Sequence, residues 1–144
     1  MSEMIICKRK QPEPPPLPGV TRVTVMKILG VLIDNKLNFT PHVDNIVKTC
    51  NQLLFALKTL KNHGLSFVLI QKVFVAIFLA KMLYCICAWG SFTSLTNKSR
   101  LDALLRKSKM LNYYKANGSN IAELQQTADR KLFHKIVLNS DHVL

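Results

Sequence analysis

Acidic residues are scarce in this chain of 144. Eight Asp and Glu stand against twenty Lys and Arg, a formal charge of +12. Such an excess does not specify a fold. It favours contact with nucleic acid or an anionic membrane surface, unless it is simply a solvated lysine-rich face. Paired carboxylates are missing as well. Asp34, Asp44, Asp102, Asp129 and Asp141 are scattered, with no two adjacent. Metal-assisted phosphoryl chemistry needs clustered carboxylates to hold Mg²⁺, so these five do not provide for it. His42, His63, His134 and His142 share no metal-ligand spacing with one another or with the cysteines. No Walker A loop, GxGxxG or GxSxG occurs. Cys7, Cys50, Cys85 and Cys87 form no CxxC and no regular framework. Reduced, mostly buried thiols are therefore expected. The opening MSEMIICKRKQPEPPP does not have the form of a signal peptide, so an intracellular, unsecreted chain is expected. No internal repeat is visible. By its residues alone the chain reads as a binding or structural module.

What the chain has is one sizeable apolar stretch. It is 49% hydrophobic overall, enough for the core of one ordinary domain. Between Phe67 and Ile86 only Gln71, Lys72 and Lys81 interrupt the apolar residues of SFVLIQKVFVAIFLAKMLYCICAW, residues 66–89. Read as a helix capped by Ser66, this stretch runs roughly 30–35 Å at about 1.5 Å per residue. Lys72 and Lys81 fall on opposite sides, so no continuous polar face exists and neighbours are expected to cover the helix nearly all round. The competing reading is a membrane span. The two lysines leave only eight uncharged positions between them. One lysine at mid-bilayer costs roughly 2.5–3.5 kcal/mol, so a buried helix is preferred and a membrane partner is not expected.

The remaining segments follow in order. Met4–Cys7 suits a short strand. Residues 8–19 hold Lys8, Arg9 and Lys10 and then five prolines, so they form an extended surface loop, a connector or a proline-motif ligand. Val20 to Asp34 is rich in Val, Ile, Leu and Thr and predicts one long strand or a hairpin. Gly30 interrupts it as a bulge or a close backbone approach. Asp34-Asn35-Lys36 makes a turn. Thr40-Pro41 then opens a helix, with Thr40 as N-cap. Its stripe runs through Val43, Ile46, Val47, Cys50, Leu53, Leu54, Leu57 and Leu60. Asp44 and Lys48 form an i,i+4 pair, and Asn62-His63-Gly64 ends the helix next to the central one. A third helix is expected from about Thr96 to Tyr114, its inner stripe Leu101, Leu104, Leu105 and Leu111. Lys98, Arg100, Arg106, Lys107, Lys109 and Lys115 surround it against the single acid Asp102. Cys85 and Cys87, about 200° apart on a helix, are expected in the core. After the break at residues 117–120 come two short helices, 121–126 and 129–139, the second burying Leu132, Phe133, Ile136 and Val137. The expected class is α+β, mainly α: a short antiparallel β ribbon followed by a bundle of three to five helices around one buried apolar helix.

Several segments together carry a resemblance. KILGVLID at Lys27 to Asp34 resembles the "K-aromatic-LGV-x-x-D" segment near the end of the palm in reverse transcriptases of non-LTR (LINE-like, jockey/CR1-type) retrotransposons. Leu37-Asn38-Phe39 with His42-Val43 is similar to that family's "L-x-F/W-x-x-H-I/V". Leu57–Leu60 with His63-Gly64-Leu65 is similar to its "LRxLRxxGL". Ala80 to Trp89 looks like "xxxLxYxxxxW", Arg100 to Lys107 looks like "RLexxQrR", and Asp129 to Leu144 looks like the closing "aDxrLFxxIxxNxxHvL". The pieces agree in order and spacing over about residues 4–144. Ile28 departs from the family pattern, which has an aromatic there.

The resemblance implies a palm-edge region at residues 1–36, with the proline-rich loop 8–19, and a thumb-like helical domain at 37–144. It implies primer-grip candidates Lys27, Leu29, Gly30 and Val31. Lys98, Arg100, Arg106, Lys107 and Lys109 become candidate phosphate contacts, which position a duplex without reading its sequence. The family's paired-aspartate strand would lie upstream. The expectation is therefore a fragment of an RNA-directed DNA polymerase that is not an enzyme alone. It would have no cofactor of its own, Mg²⁺ belonging to the intact polymerase. Its partner would be a template–primer RNA/DNA duplex rather than a small-molecule substrate. The alternatives are a helical interaction module that self-associates through the exposed edges of Met4–Cys7 and Val20–Ile33, or a small membrane protein centred on residues 66–89.

Overall fold

A computed structural model describes residues 1–6 and 13–139. The fold is mainly helical, with a short antiparallel ribbon ahead of the helices. Two strand pairs come first. β1 (Ser2–Glu3) lies parallel to β2 (Thr21–Arg22), held by a Glu3–Arg22 ion pair at 2.9 Å. Arg22 also donates to the Pro14 and Pro15 carbonyls at 2.8 and 3.1 Å, which fastens the exposed proline segment. Met4–Ile6 is not a strand, contrary to expectation. The pairing moved two residues earlier, where Glu3 meets Arg22. Cys7 and the basic triplet at 8–10 lie outside the described residues, as do 140–144, the end of the closing motif.

β3 (Val25–Ile28) and β4 (Val31–Asp34) form a hairpin whose two-residue turn is Leu29-Gly30. Both turn residues have positive φ, 47° and 89°, as the right-handed twist of hairpin strands requires. Gly30 is thus a turn residue, not a bulge. Asp34 ends β4 by accepting from the Lys36 and Asn38 amides through Oδ1.

α1 (Thr40–Asn62) starts one residue earlier than expected, with Phe39 in the cap position and no side-chain cap. Thr40 is inside the helix because its hydroxyl is used elsewhere: it accepts from Asn97 Nδ2 at 3.0 Å. Asp44 likewise pairs with Arg100 at 2.7 Å instead of Lys48. Gly64 (φ 88°) closes α1, and the Leu65 amide reaches back to the Leu60 carbonyl at 3.1 Å.

The apolar stretch that follows is a rod of joined pieces rather than one helix. α2 (Phe67–Val73) passes into a π turn (Phe74–Leu79), then α3 (Ala80–Leu83). The chain breaks at Tyr84-Cys85 before α4 (Ile86–Trp89) and a 3₁₀ turn (Gly90–Phe92). Cys85 is left-handed there (φ 52°), a conformation that costs a side-chain-bearing residue about 1–2 kcal/mol. Trp89 Nε1 secures the break by donating to the Tyr84 carbonyl at 2.8 Å. The rod buries Ile70, Phe74, Phe78, Met82, Ile86 and Trp89. It is not covered all round. Val68, Val75 and Ile77 are 62, 55 and 49% exposed, because helices pack on one side of it only.

α5 (Leu95–Met110) buries Leu101, Leu104 and Leu105, with Leu111 half-buried. It begins at Ser94, whose hydroxyl accepts from the Asn97 amide, and stops at Leu111 instead of reaching Tyr114. α6 (Ile121–Leu138) is one helix, not two. Asn120 and Glu123 make a capping box, and Asp102 of α5 accepts from the Ile121 amide at 2.8 Å. Only its first half reaches the core, through Ile121, Leu124 and Ala128. Phe133 and Val137 are exposed rather than buried. Val31 and Phe39 pack against the same core, so the hairpin and the helices share it.

Candidate functional site

The hairpin tip and the break in the rod meet. Tyr84 Oη donates to the Leu29 carbonyl at 3.0 Å across 55 residues of sequence. A Cβ added to Gly30 would lie 3.1 Å from Tyr84 Cε1. The close approach that Gly30 allows is therefore to a tyrosine ring of the same chain. Leu29, Gly30 and Val31 are brought together at this tip. Lys27, one turn of the strand back, is exposed on β3. Beside the tip an open apolar hollow of about 290 Å³ is lined by Ile28, Leu29, Val31, Ile33, Phe39, Cys85 and Ala88. Leu29 is 87% exposed at the mouth of this hollow in a left-handed conformation, the kind of local strain that concentrates at working surfaces. Neither Tyr84 nor Cys85 was a site candidate by sequence, since nothing in residue spacing reports a contact so far apart along the chain. Cys85 is exposed, against the expectation of a core thiol, because the break turns it outward.

The basic helix divides into engaged and free cations. Arg100 is engaged: its Nη1 contacts Asp44 Oδ1 at 2.7 Å and Asn97 Oδ1 at 3.0 Å. Lys109 is engaged too, donating to the Gly118 carbonyl at 2.6 Å with its ammonium 5.7 Å from the Tyr114 ring centre. Both fix loops and helices to one another. Lys98, Arg106 and Lys107 make no side-chain hydrogen bond or ion pair among the described residues. Arg106 and Lys107 are exposed on the outer face of α5, together with Ser99, Ala103 and Met110. Ser99 and Ala103 are short side chains beside these two free cations, which leaves a phosphate chain room to approach that part of the helix.

The buried polar groups are structural. Burial pushes the Cys50 thiol up to about 12, so it is inert at neutral pH. His42, at 2% exposure, accepts from the Leu32 amide through Nδ1 at 3.4 Å. Nε2 must then carry the proton, and it has no hydrogen-bond partner. The ring stands edge to face with Trp89, 5.1 Å between centres. Burial, and secondarily the charge of Lys81, lowers the His42 pKa below 6.5. The stability consequence has a definite sign. Above pH 6.5 both the folded and the unfolded chain hold a neutral imidazole. Below it the unfolded chain takes up a proton that the folded one refuses, so stability falls as the pH falls. Urea denaturation from about pH 7 to about pH 5 should show this loss, and His42→Asn should be less stable but show a smaller slope over the same range. An equal slope in both proteins would assign the acid sensitivity to other groups.

Among the described residues no three His, Cys, Asp or Glu side chains are grouped where they could hold a metal ion. Comparison with protein-family models, curated proteins and solved structures finds no match.

Proposed function

We propose that this chain is a non-catalytic portion of a non-LTR retrotransposon reverse transcriptase, a palm-edge hairpin joined to a thumb-like bundle. Its remaining capability is sequence-independent binding of a template–primer duplex. The observation that carries the reading is the local structure of KILGVLID. The segment that resembles the primer grip folds as a tight hairpin, and its Leu29-Gly30 tip is held in a strained turn beside an open hollow. Support comes also from the free cations Arg106 and Lys107, exposed on α5 beside the short side chains of Ser99 and Ala103. The paired aspartates of the family do not occur in this sequence, so the reading includes no polymerase step.

Anisotropy titration of a labelled RNA–DNA duplex tests it. Binding should weaken with salt at about −0.9 in log K per phosphate contact, so about three contacts give a slope near −2.7. Arg106→Glu with Lys107→Glu should weaken binding by roughly tenfold or more, equally for unrelated sequences, and flatten the slope. Arg100→Glu should instead lower thermal stability, because its guanidinium joins α1 to α5. No binding at low salt, or a flat salt response, would overturn the proposal.

A further inference from the structure

The uncovered side of the rod is a second surface, built from other residues. Val68, Lys72 and Val75 repeat at helical spacing along it, flanked by Phe67 and Leu69 at 41 and 46% exposure. Within residues 67–92 an 18-residue window reaches a mean hydropathy of 2.0, yet only 33% of that window is buried. The charge around it has one sign. From Asn45 to Ser99 the sequence holds six Lys and no Asp or Glu. The acids that bound this stretch are engaged, Asp44 with Arg100 and Asp102 with the Ile121 amide.

Those facts select among occupants. A second copy meeting this face about a two-fold axis would set its lysines against their own images. A partner helix has no seat between α1 and the rod, where the notch lined by Leu53, Leu60, Val73 and Ile77 among others is only about 70 Å³. Nucleic acid offers phosphates to the lysines but little apolar surface to Val68, Leu69 and Val75. An anionic bilayer offers both, acyl chains for the apolar residues and headgroups for the lysines. Lys72 can lie along its own apolar stem and place its ammonium at headgroup level.

We infer that the exposed face of the rod, centred on Val68, Lys72 and Val75, docks on an anionic lipid surface. The rod lies in the interface plane. It does not span, because Phe74, Phe78 and Met82 on its other side are buried against the protein. The inference is independent of the nucleic-acid reading.

Vesicle co-sedimentation of the full chain tests it, with phosphatidylcholine alone against phosphatidylcholine mixed with phosphatidylserine. Binding is expected to the mixed vesicles, reduced but not abolished by salt. Val68→Asp with Val75→Asp should lower partitioning by roughly tenfold or more, the positions being exposed already. Arg106→Glu with Lys107→Glu should keep most of the vesicle binding while losing duplex binding, which separates the failure of one reading from that of the other. A second measurement needs no charged variant. Val68→Trp should shift its emission to the blue on mixed vesicles and be quenched by brominated acyl chains, whereas Ser99→Trp on α5 should not. Four results would overturn the inference: no binding to mixed vesicles, undiminished binding by the Asp variant, an unquenched Val68→Trp, or a stable dimer or acidic-protein complex that occupies this face instead.

Discussion

Trp89→Ala should destabilise the protein by about 4 kcal/mol or more, the largest effect expected of a single truncation here. Emptying the site of a buried tryptophan costs about 3–5 kcal/mol through lost transfer energy and the cavity left behind. Trp89 is 1% exposed, so that cost applies in full. A second loss follows from its indole N–H, which supports the Tyr84 carbonyl where the rod breaks. That bond is only part-buried, so its loss adds about 1 kcal/mol. The left-handed Cys85 would also lose the neighbour that holds the break. The ring further supports His42, whose Nε2 has no hydrogen-bond partner. Since small domains have only about 5–15 kcal/mol of stability in total, the variant should be close to unfolded at physiological temperature. Trp89→Phe separates the terms: it fills most of the site but cannot donate, so it should lose about 1–3 kcal/mol. Urea denaturation with matched m-values measures both. A loss below about 2 kcal/mol for Trp89→Ala would mean that the break is held by something else.

What the sequence made legible was periodicity. Of the α1 stripe, Val43, Ile46, Cys50, Leu54 and Leu57 are buried, Val47 and Leu53 are half-buried and Leu60 at the end is exposed, while Leu101, Leu104 and Leu105 are the buried face of α5. Such stripes are local, and tertiary contacts only deepen them. The rod was misread because its pattern has no polar side. When every face is apolar, hydrophobicity does not say which faces are covered, and here only one is. Small polar residues were the other source of error. Thr40 was expected to cap α1, but Asn97 of α5 engages its hydroxyl. Residues 127–128 were expected to separate two helices, yet Thr127 Oγ1 donates back to the Glu123 carbonyl at 2.9 Å and α6 runs on. In each case a side chain able to satisfy either of two partners was settled by one distant in sequence or by its own helix.

The candidate site divides along the same line. Gly30 was legible from the residues, because a glycine within a β-rich run marks a backbone special point, whereas Leu29 and Val31 came only from the resemblance. The cations of α5 were legible as a group, but not which of them are engaged. Arg100 and Lys109 have partners on α1 and in the loop after α5, and a helical wheel does not show those partners. Charge counting therefore overstates the free surface of this helix, and the face left for a polyanion centres on Arg106 and Lys107.

Gly30→Val should cost about 3 kcal/mol, and the reason lies in two independent demands on one residue. The first is conformational. With φ at 89° the position lies where a β-branched residue is a strong outlier. The second is spatial, since an added Cβ would lie 3.1 Å from Tyr84 Cε1, a ring that the Leu29 carbonyl holds in place. Moving the ring breaks that hydrogen bond and undocks the hairpin from the rod. Tyr84→Phe removes the bond but keeps the ring, and at 48% exposure it should cost about 1 kcal/mol or less. The two substitutions share one contact, so in combination they should cost less than the sum of their separate effects. Leu29→Asn moves the other way. Asparagine tolerates the left-handed conformation that leucine is forced into at φ 47°, and Asn-Gly is the preferred pair for such a turn, so a gain of up to about 1 kcal/mol is expected. Thermal and urea unfolding of the four variants decide it. If Gly30→Val falls within about 0.5 kcal/mol of the parent, an effect usual for unremarkable surface sites, the tip is not docked on Tyr84. If the double variant is strictly additive, ring and turn are not in contact.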